Sequence, residues 1–170
     1  MTKKESAMKI LNVVTAAAMV AAACGVQAQT TVKRLYTTPN ARFASSVWAG
    51  DTLYVAGQMG SPVTPEDKAK GTPADYGDTA AQAESAIRNI EKILKVNGLT
   101  LGDIVQMECF VAGDPKLGGK MDFAGLNAAY GKFFGTAEQP NRPTRAAVQV
   151  AGLATPWGLV EIVVVAVKSK

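Results

Sequence analysis

A chain of 170 residues without a histidine has no Ser–His or Cys–His nucleophile pair and few routes to a zinc site. Its formal charge is +4, but setting residues 1–28 aside turns 18 basic and 14 acidic residues into 15 and 13. That near-balance, with no cluster of Lys or Arg, excludes a nucleic-acid track as the organising feature, and the remaining length supports one domain.

Residues 1–28 read as a secretory signal. Lys3, Lys4 and Lys9 precede an apolar run from Ile10 to Cys24, and Val26-Gln27-Ala28 places small or apolar residues where a signal peptidase reads. The run is short for a transmembrane span, so no stable membrane span is expected. Cleavage after Ala28 leaves residues 29–170 as a single domain that is periplasmic or secreted. Lipoprotein processing at Cys24 is the alternative, weakened by Ala21 standing where a lipobox carries leucine. Only Cys109 then remains, so no internal disulfide is possible. Within the apolar stretch VQMECFV, Cys109 reads as a small buried hydrophobe.

The elements follow in order. VKRLYTT (32–38) predicts a short edge strand, and FASSVWAG (43–50) and DTLYVAGQMG (51–60) two strands joined at Gly50-Asp51. Residues 61–77, with three prolines, predict a loop. Asp78 is placed to cap a helix reaching Val96, with Ala80, Ala83, Ile87, Ile90 and Leu94 at helical spacing and Asn97-Gly98 as the stop. DIVQMECFVAG (103–113) predicts a strand. Asp122 then caps a second helix whose apolar stripe is Phe123, Leu126, Tyr130, Phe133 and Phe134. TRAAVQVAGL and GLVEIVVVAV predict a closing hairpin around ATPW.

This order predicts an α+β domain: one mixed six-stranded sheet with two helices on one face. The strands at 53–59, 104–111 and 159–167 are apolar at nearly every position, so both faces of the sheet call for burial. Two helices suffice for one face. The other is most economically covered by further copies of the chain, which predicts a symmetric oligomer.

Three polar residues stand out. Glu161 interrupts the most apolar strand, Arg145 begins the strand expected to pair with it, and Asn127 falls in the apolar stripe of the second helix. One reading is structural: an Arg145–Glu161 ion pair, with Asn127 capping a backbone group. The other is chemical. A guanidinium fork matches a carboxylate bidentately, and a carboxylate deprived of water takes up protons more readily, which suits acid–base work near neutral pH. The set fits a small carboxylate whose neighbouring carbon is attacked by water. Gly57, in VAGQ, is where backbone can approach such a ligand, or simply a bulge.

LYVAGQMG, GLTLGDIVQMECFVAG, LNAAYGKFF and RPTRAAVQVAGL…GLVEIVVVAV together resemble the RidA (YjgF) family over roughly residues 32–168. The resemblance implies a chorismate-mutase-like fold and a homotrimer with a site in each cleft between subunits. It also implies cofactor-free hydrolysis of reactive enamines and imines, of the 2-aminoacrylate and 2-iminopropanoate type, to 2-oxo acids and ammonium. By the same resemblance, Arg145 binds the substrate carboxylate, Glu161 handles water, Asn127 is the helix asparagine and Gly57 contacts substrate through its backbone. Two substrate-facing positions depart from the family's active pattern: Phe43 stands for a tyrosine and Ala56 for a serine, each losing a hydroxyl. The rival readings are a small-carboxylate-binding protein without turnover and a chaperone-like trimer. The ribonuclease label sometimes attached to the family fits poorly with the small charge and absent histidine.

The intact mass of the exported protein is expected to correspond to a chain starting at Gln29. A mass retaining residues 1–28, or a lipidated Cys24, overturns the export reading.

Overall fold

The computed structural model describes residues 30–169; the proposed signal at 1–28 and the Cys24 alternative lie outside them. Six strands form one sheet: β1 (Val32–Leu35), β2 (Ser46–Ala49), β3 (Thr52–Met59), β4 (Ile104–Ala112), β5 (Thr144–Val150) and β6 (Val160–Val167). Two α-helices, α1 (Thr79–Val96) and α2 (Phe123–Tyr130), accompany them. The α+β class and the mixed sheet are as the sequence implies. No helix among the described residues is long and apolar enough to cross a membrane.

The caps are where the sequence places them. The Asp78 carboxylate accepts from the Ala81 N–H at 2.9 Å, and that of Asp122 from the Gly125 N–H at 2.8 Å. Each supplies an acceptor to one of the orphan donors of a first turn. Gly98 ends α1 at φ 73°, a left-handed conformation that glycine adopts without a Cβ penalty. Helix α2 is shorter than its stripe suggested. Phe133 and Phe134 follow in turns, where Phe134 is buried and stacks on Tyr130 with centroids 4.7 Å apart.

The strand order is β1-β2-β3-β6-β4-β5, which overturns the predicted closing hairpin. β6 pairs antiparallel with β3 and β4, while β5 lies at the edge, parallel to β4. Two physical reasons account for this. The stretch between β5 and β6 lacks the two-residue turn chemistry that locks a tight hairpin. The long segment between β4 and β5 contains α2, and such a crossover returns the chain parallel. The most apolar strand, β6, therefore takes the centre of the sheet.

Helices α1 and α2 cover one face. Ile87, Ile90 and Leu94 of α1 and Leu126 of α2 pack with Leu53, Met107, Val111, Ile162 and Val164 in one core. Along β6 the burial alternates: Val160, Ile162, Val164 and Ala166 are buried, while Glu161, Val163 and Val165 remain partly exposed. Side chains of a strand alternate between faces, so Glu161 belongs to the uncovered side. There it sits opposite Phe110 among an apolar set that includes Val163, Val165 and the exposed Tyr54 and Val148. The carboxylate that looked anomalous in the sequence is on the face that no helix among the described residues shields.

Gln82 of α1 holds the connection between β5 and β6 in place. It is 1% exposed, accepts from the Leu159 N–H at 2.8 Å and donates to the Trp157 carbonyl at 3.1 Å. The loop at 61–77 reaches the same connection, stacking Tyr76 on Trp157 with centroids 3.5 Å apart.

Replacing Gln82 with leucine keeps the bulk but strands two part-buried backbone groups, each costing about 1–3 kcal/mol where water cannot reach it. Urea unfolding of Gln82→Leu is expected to show a loss of about 3 kcal/mol. A loss under about 1 kcal/mol would mean that water replaces the amide without penalty.

Candidate functional site

The polar residues fall into two groups, one on each face of the sheet. The first is built around Arg145 at the start of edge strand β5. Arg145 pairs with Met107, a buried core residue, so its side chain emerges on the helix-covered face and reaches the flank of α2. There its Nη2 donates to the Asn127 side-chain carbonyl at 2.6 Å. The guanidinium carbon lies 4.4 Å from the centroid of the Tyr130 ring and 5.8 Å from that of Phe123. Aromatic faces at this distance attract and orient a cation. Its Nη1 is buried and has no hydrogen-bond partner among the described residues.

Asn127 is exposed, which corrects its expected place in the buried stripe. Its carbonyl accepts from Arg145 instead of capping backbone. The α-helical spacing of Phe123, Asn127 and Tyr130 sets all three on one flank. Tyr130 was legible as a stripe residue but missed as a platform for Arg145; the three-residue step from Asn127 was the available signal.

Arg145 also touches the chemistry of its neighbours. Burial pushes the Cys109 thiol up to about 11, only partly opposed by the nearby Arg145 charge. The thiol therefore stays protonated and unreactive at neutral pH. Burial likewise raises the Tyr130 phenol, against the opposing charges of Arg145 and Arg142.

The second group is built around a break in β3. Val55 pairs with Val164 and Gln58 with Ile162, so Ala56 and Gly57 together oppose the single residue Val163. Such a bulge bends the strand and re-aims its groups. Gly57 packs against Glu161 so closely that a Cβ there would fall on the Glu161 carboxylate; this close approach is why residue 57 has no side chain. The Gln58 amide donates to the carbonyls of Ala56 and Gly57, both at 3.0 Å, and the Ala56 N–H donates to the Ser45 carbonyl at 3.0 Å. These bonds tie the bulge to the segment before β2. Phe43, 71% exposed, and Gly57 line one cleft of about 450 Å³.

The two groups do not meet within one protomer. Arg145 is opposite Met107 of β4, Glu161 opposite Phe110, and β4 separates their strands. Two strand spacings and a three-residue offset put their Cα atoms roughly 14 Å apart, with the side chains on opposite faces. The expected Arg145–Glu161 ion pair is thus absent: the ion pairs among the described residues are Lys70–Asp67, Arg88–Glu84 and Lys132–Glu84.

A family model described as Endoribonuclease L-PSP matches residues 32–168. The chain is 37% identical to a RutC family protein of Haemophilus influenzae over 126 residues, 74% of this chain and 86% of that one. It is 36% identical to the 2-iminobutanoate/2-iminopropanoate deaminase of Escherichia coli K12 over 111 residues, 65% of this chain and 76% of that one. The crystal structure of E. coli TdcF with bound serine superposes with a TM-score of 0.57 at 32% identity, covering 75% of this chain and 88% of that one.

Gly57→Ala is expected to displace the Glu161 carboxylate, the flexible end of a side chain, while costing less than about 1 kcal/mol of stability. A crystal structure and an unfolding curve of the variant check both parts. A cost of several kcal/mol with Glu161 unmoved would mean that the bulge itself cannot accept a Cβ.

Proposed function

Because this chain belongs to the RidA (YjgF) family, we propose that it hydrolyses reactive imines and enamines of the 2-iminopropanoate type to 2-oxo acids and ammonium, without a cofactor. The observation that carries this is the Arg145 guanidinium. It is braced by Asn127 and the Tyr130 ring, and its Nη1 is left buried and unpartnered. A buried donor without a partner is costly, and a carboxylate satisfies it in the geometry guanidinium favours. The relative named a 2-iminobutanoate/2-iminopropanoate deaminase and the TdcF structure with bound serine support a small amino-acid-derived ligand.

The protein works as a homotrimer in this reading. Arg145 and Glu161 lie on opposite faces, so a single site needs the Arg145 group of one protomer and the Glu161 group of its neighbour. The apolar side of the sheet, which no helix among the described residues covers, supports such an assembly. In each cleft Arg145 and Asn127 hold the substrate carboxylate, while Glu161, set against Gly57, takes a proton from water. The water oxygen bonds to the carbon of the protonated imine and the proton passes to nitrogen. The carbinolamine hydroxyl then gives its proton to the departing ammonia as the carbon–nitrogen bond breaks, leaving a 2-oxo acid and ammonium. Phe43 and Ala56 provide shape without hydroxyls. That feature favours a second reading, a binding protein that holds small carboxylates without turnover. Export by the segment at 1–28 places either activity in the periplasm or outside the cell.

Arg145→Ala is expected to abolish binding and turnover together. Glu161→Gln should keep carboxylate binding and lower turnover by about 100-fold or more, read as ammonium release from imines made by an amino-acid oxidase. Mixing the two variants with subunit exchange should restore about a quarter of wild-type activity, because one cleft in four then receives both intact residues. Light scattering should report three chains. No rescue, or a stable monomer, sinks the shared site, and wild-type binding of 2-oxo acids without acceleration of any imine gives the binding-protein reading.

A further inference from the structure

The cleft that contains Phe43 and Gly57 also contains a second guanidinium, that of Arg42. The Ala41 N–H donates to the Thr38 carbonyl at 3.1 Å, a turn that sets the backbone just before Arg42. No acidic side chain lines this cleft, and no ion pair among the described residues involves Arg42. Its positive charge is therefore uncompensated in a cleft that shares Gly57, the backbone neighbour of the Glu161 carboxylate, with the proposed site. The cleft's 450 Å³ lies within the roughly 300–1,000 Å³ that accommodates drug-sized ligands, far more than a three-carbon imine fills.

Resting on the imine-hydrolysis reading, we infer that Arg42 receives a second anionic group, so that the favoured substrates are imines of dicarboxylic amino acids. Arg145 of one protomer takes the carboxylate next to the imine carbon, and Arg42 of the neighbour takes the distal one. The Phe43 ring packs against the methylene chain between them. The reaction is unchanged in its balance: water adds to the imine carbon, ammonium leaves, and a 2-oxo dicarboxylate is formed. An enzyme that oxidises an acidic amino acid to its imine must supply this substrate.

The test compares imines made in situ from glutamate or aspartate with 2-iminobutanoate, in wild type and in Arg42→Gln, using the purified full chain. Wild type is expected to favour the dicarboxylic imine in kcat/KM. In Arg42→Gln the ratio of the two kcat/KM values should fall about 10- to 100-fold, the loss of one charge-assisted contact, and Arg42→Lys should recover part of it. Calorimetric titration with 2-oxoglutarate and with 2-oxobutanoate supplies an arm that does not need turnover. Wild type should bind the diacid more tightly, and Arg42→Gln should erase that preference. If no imine is accelerated but the binding preference depends on Arg42, the hydrolysis reading fails while the two-anion site stands. An unchanged preference in Arg42→Gln, or no binding of either acid, overturns the proposal.

Discussion

The arrangement depends on one imbalance: a six-stranded sheet carries apolar side chains on both faces, but the helices of the described residues cover only one. On the covered face, α1 and α2 seal a core of aliphatic residues from every central strand. On the other, Tyr54, Val148, Val163 and Val165 share the face of Glu161, and no helix among the described residues lies above them. At about 25 cal/mol per Å² of apolar surface, covering a face of this kind would contribute to the proposed assembly. It also makes the surroundings of Glu161 a property of whatever covers the sheet.

The same imbalance resolves what a buried Arg–Glu pair would have cost. Taking two opposite charges out of water together is often no better than an apolar pair, and the fold keeps them apart. Arg145 is stabilised on one face by an amide oxygen and an aromatic ring, and Glu161 is fitted against a glycine on the other. Each is held in position without neutralising the other. In the proposed reaction a carboxylate-binding fork and a water-handling carboxylate must both remain available to substrate, and separation preserves that.

The bulge at Ala56–Gly57 is the local device that sets the β3 backbone against Glu161. Without the extra residue, the pairing of β3 with β6 would carry through in a single register, with no room for the Gly57 backbone to lie against Glu161. Gln58 and Ser45 hold the bulge through backbone hydrogen bonds. The cleft wall beside it is therefore made by main chain and by a segment that also carries Arg42 and Phe43. The proposed specificity on this side would rest in the segment before β2, whereas the Arg145 side is built on α2.

By itself the sequence determined the elements, both helix starts and the end of α1, because these follow from local chemistry: Asp78 and Asp122 cap with their own side chains, Gly98 permits a left-handed turn, and apolar spacing marks α1. It also marked Arg145, Glu161, Asn127 and Gly57, since a polar residue in an apolar pattern, or a glycine in a strand, is visible without coordinates. It did not determine which strands pair. The closing hairpin was wrong because pairing of β5 with β4 depends on the crossover through α2, a long-range choice that local spacing does not encode. Nor did it reveal Tyr130 under Arg145, or that Arg145 and Glu161 occupy opposite faces. Facing is set by register with a neighbouring strand, and register exists only once the sheet has formed.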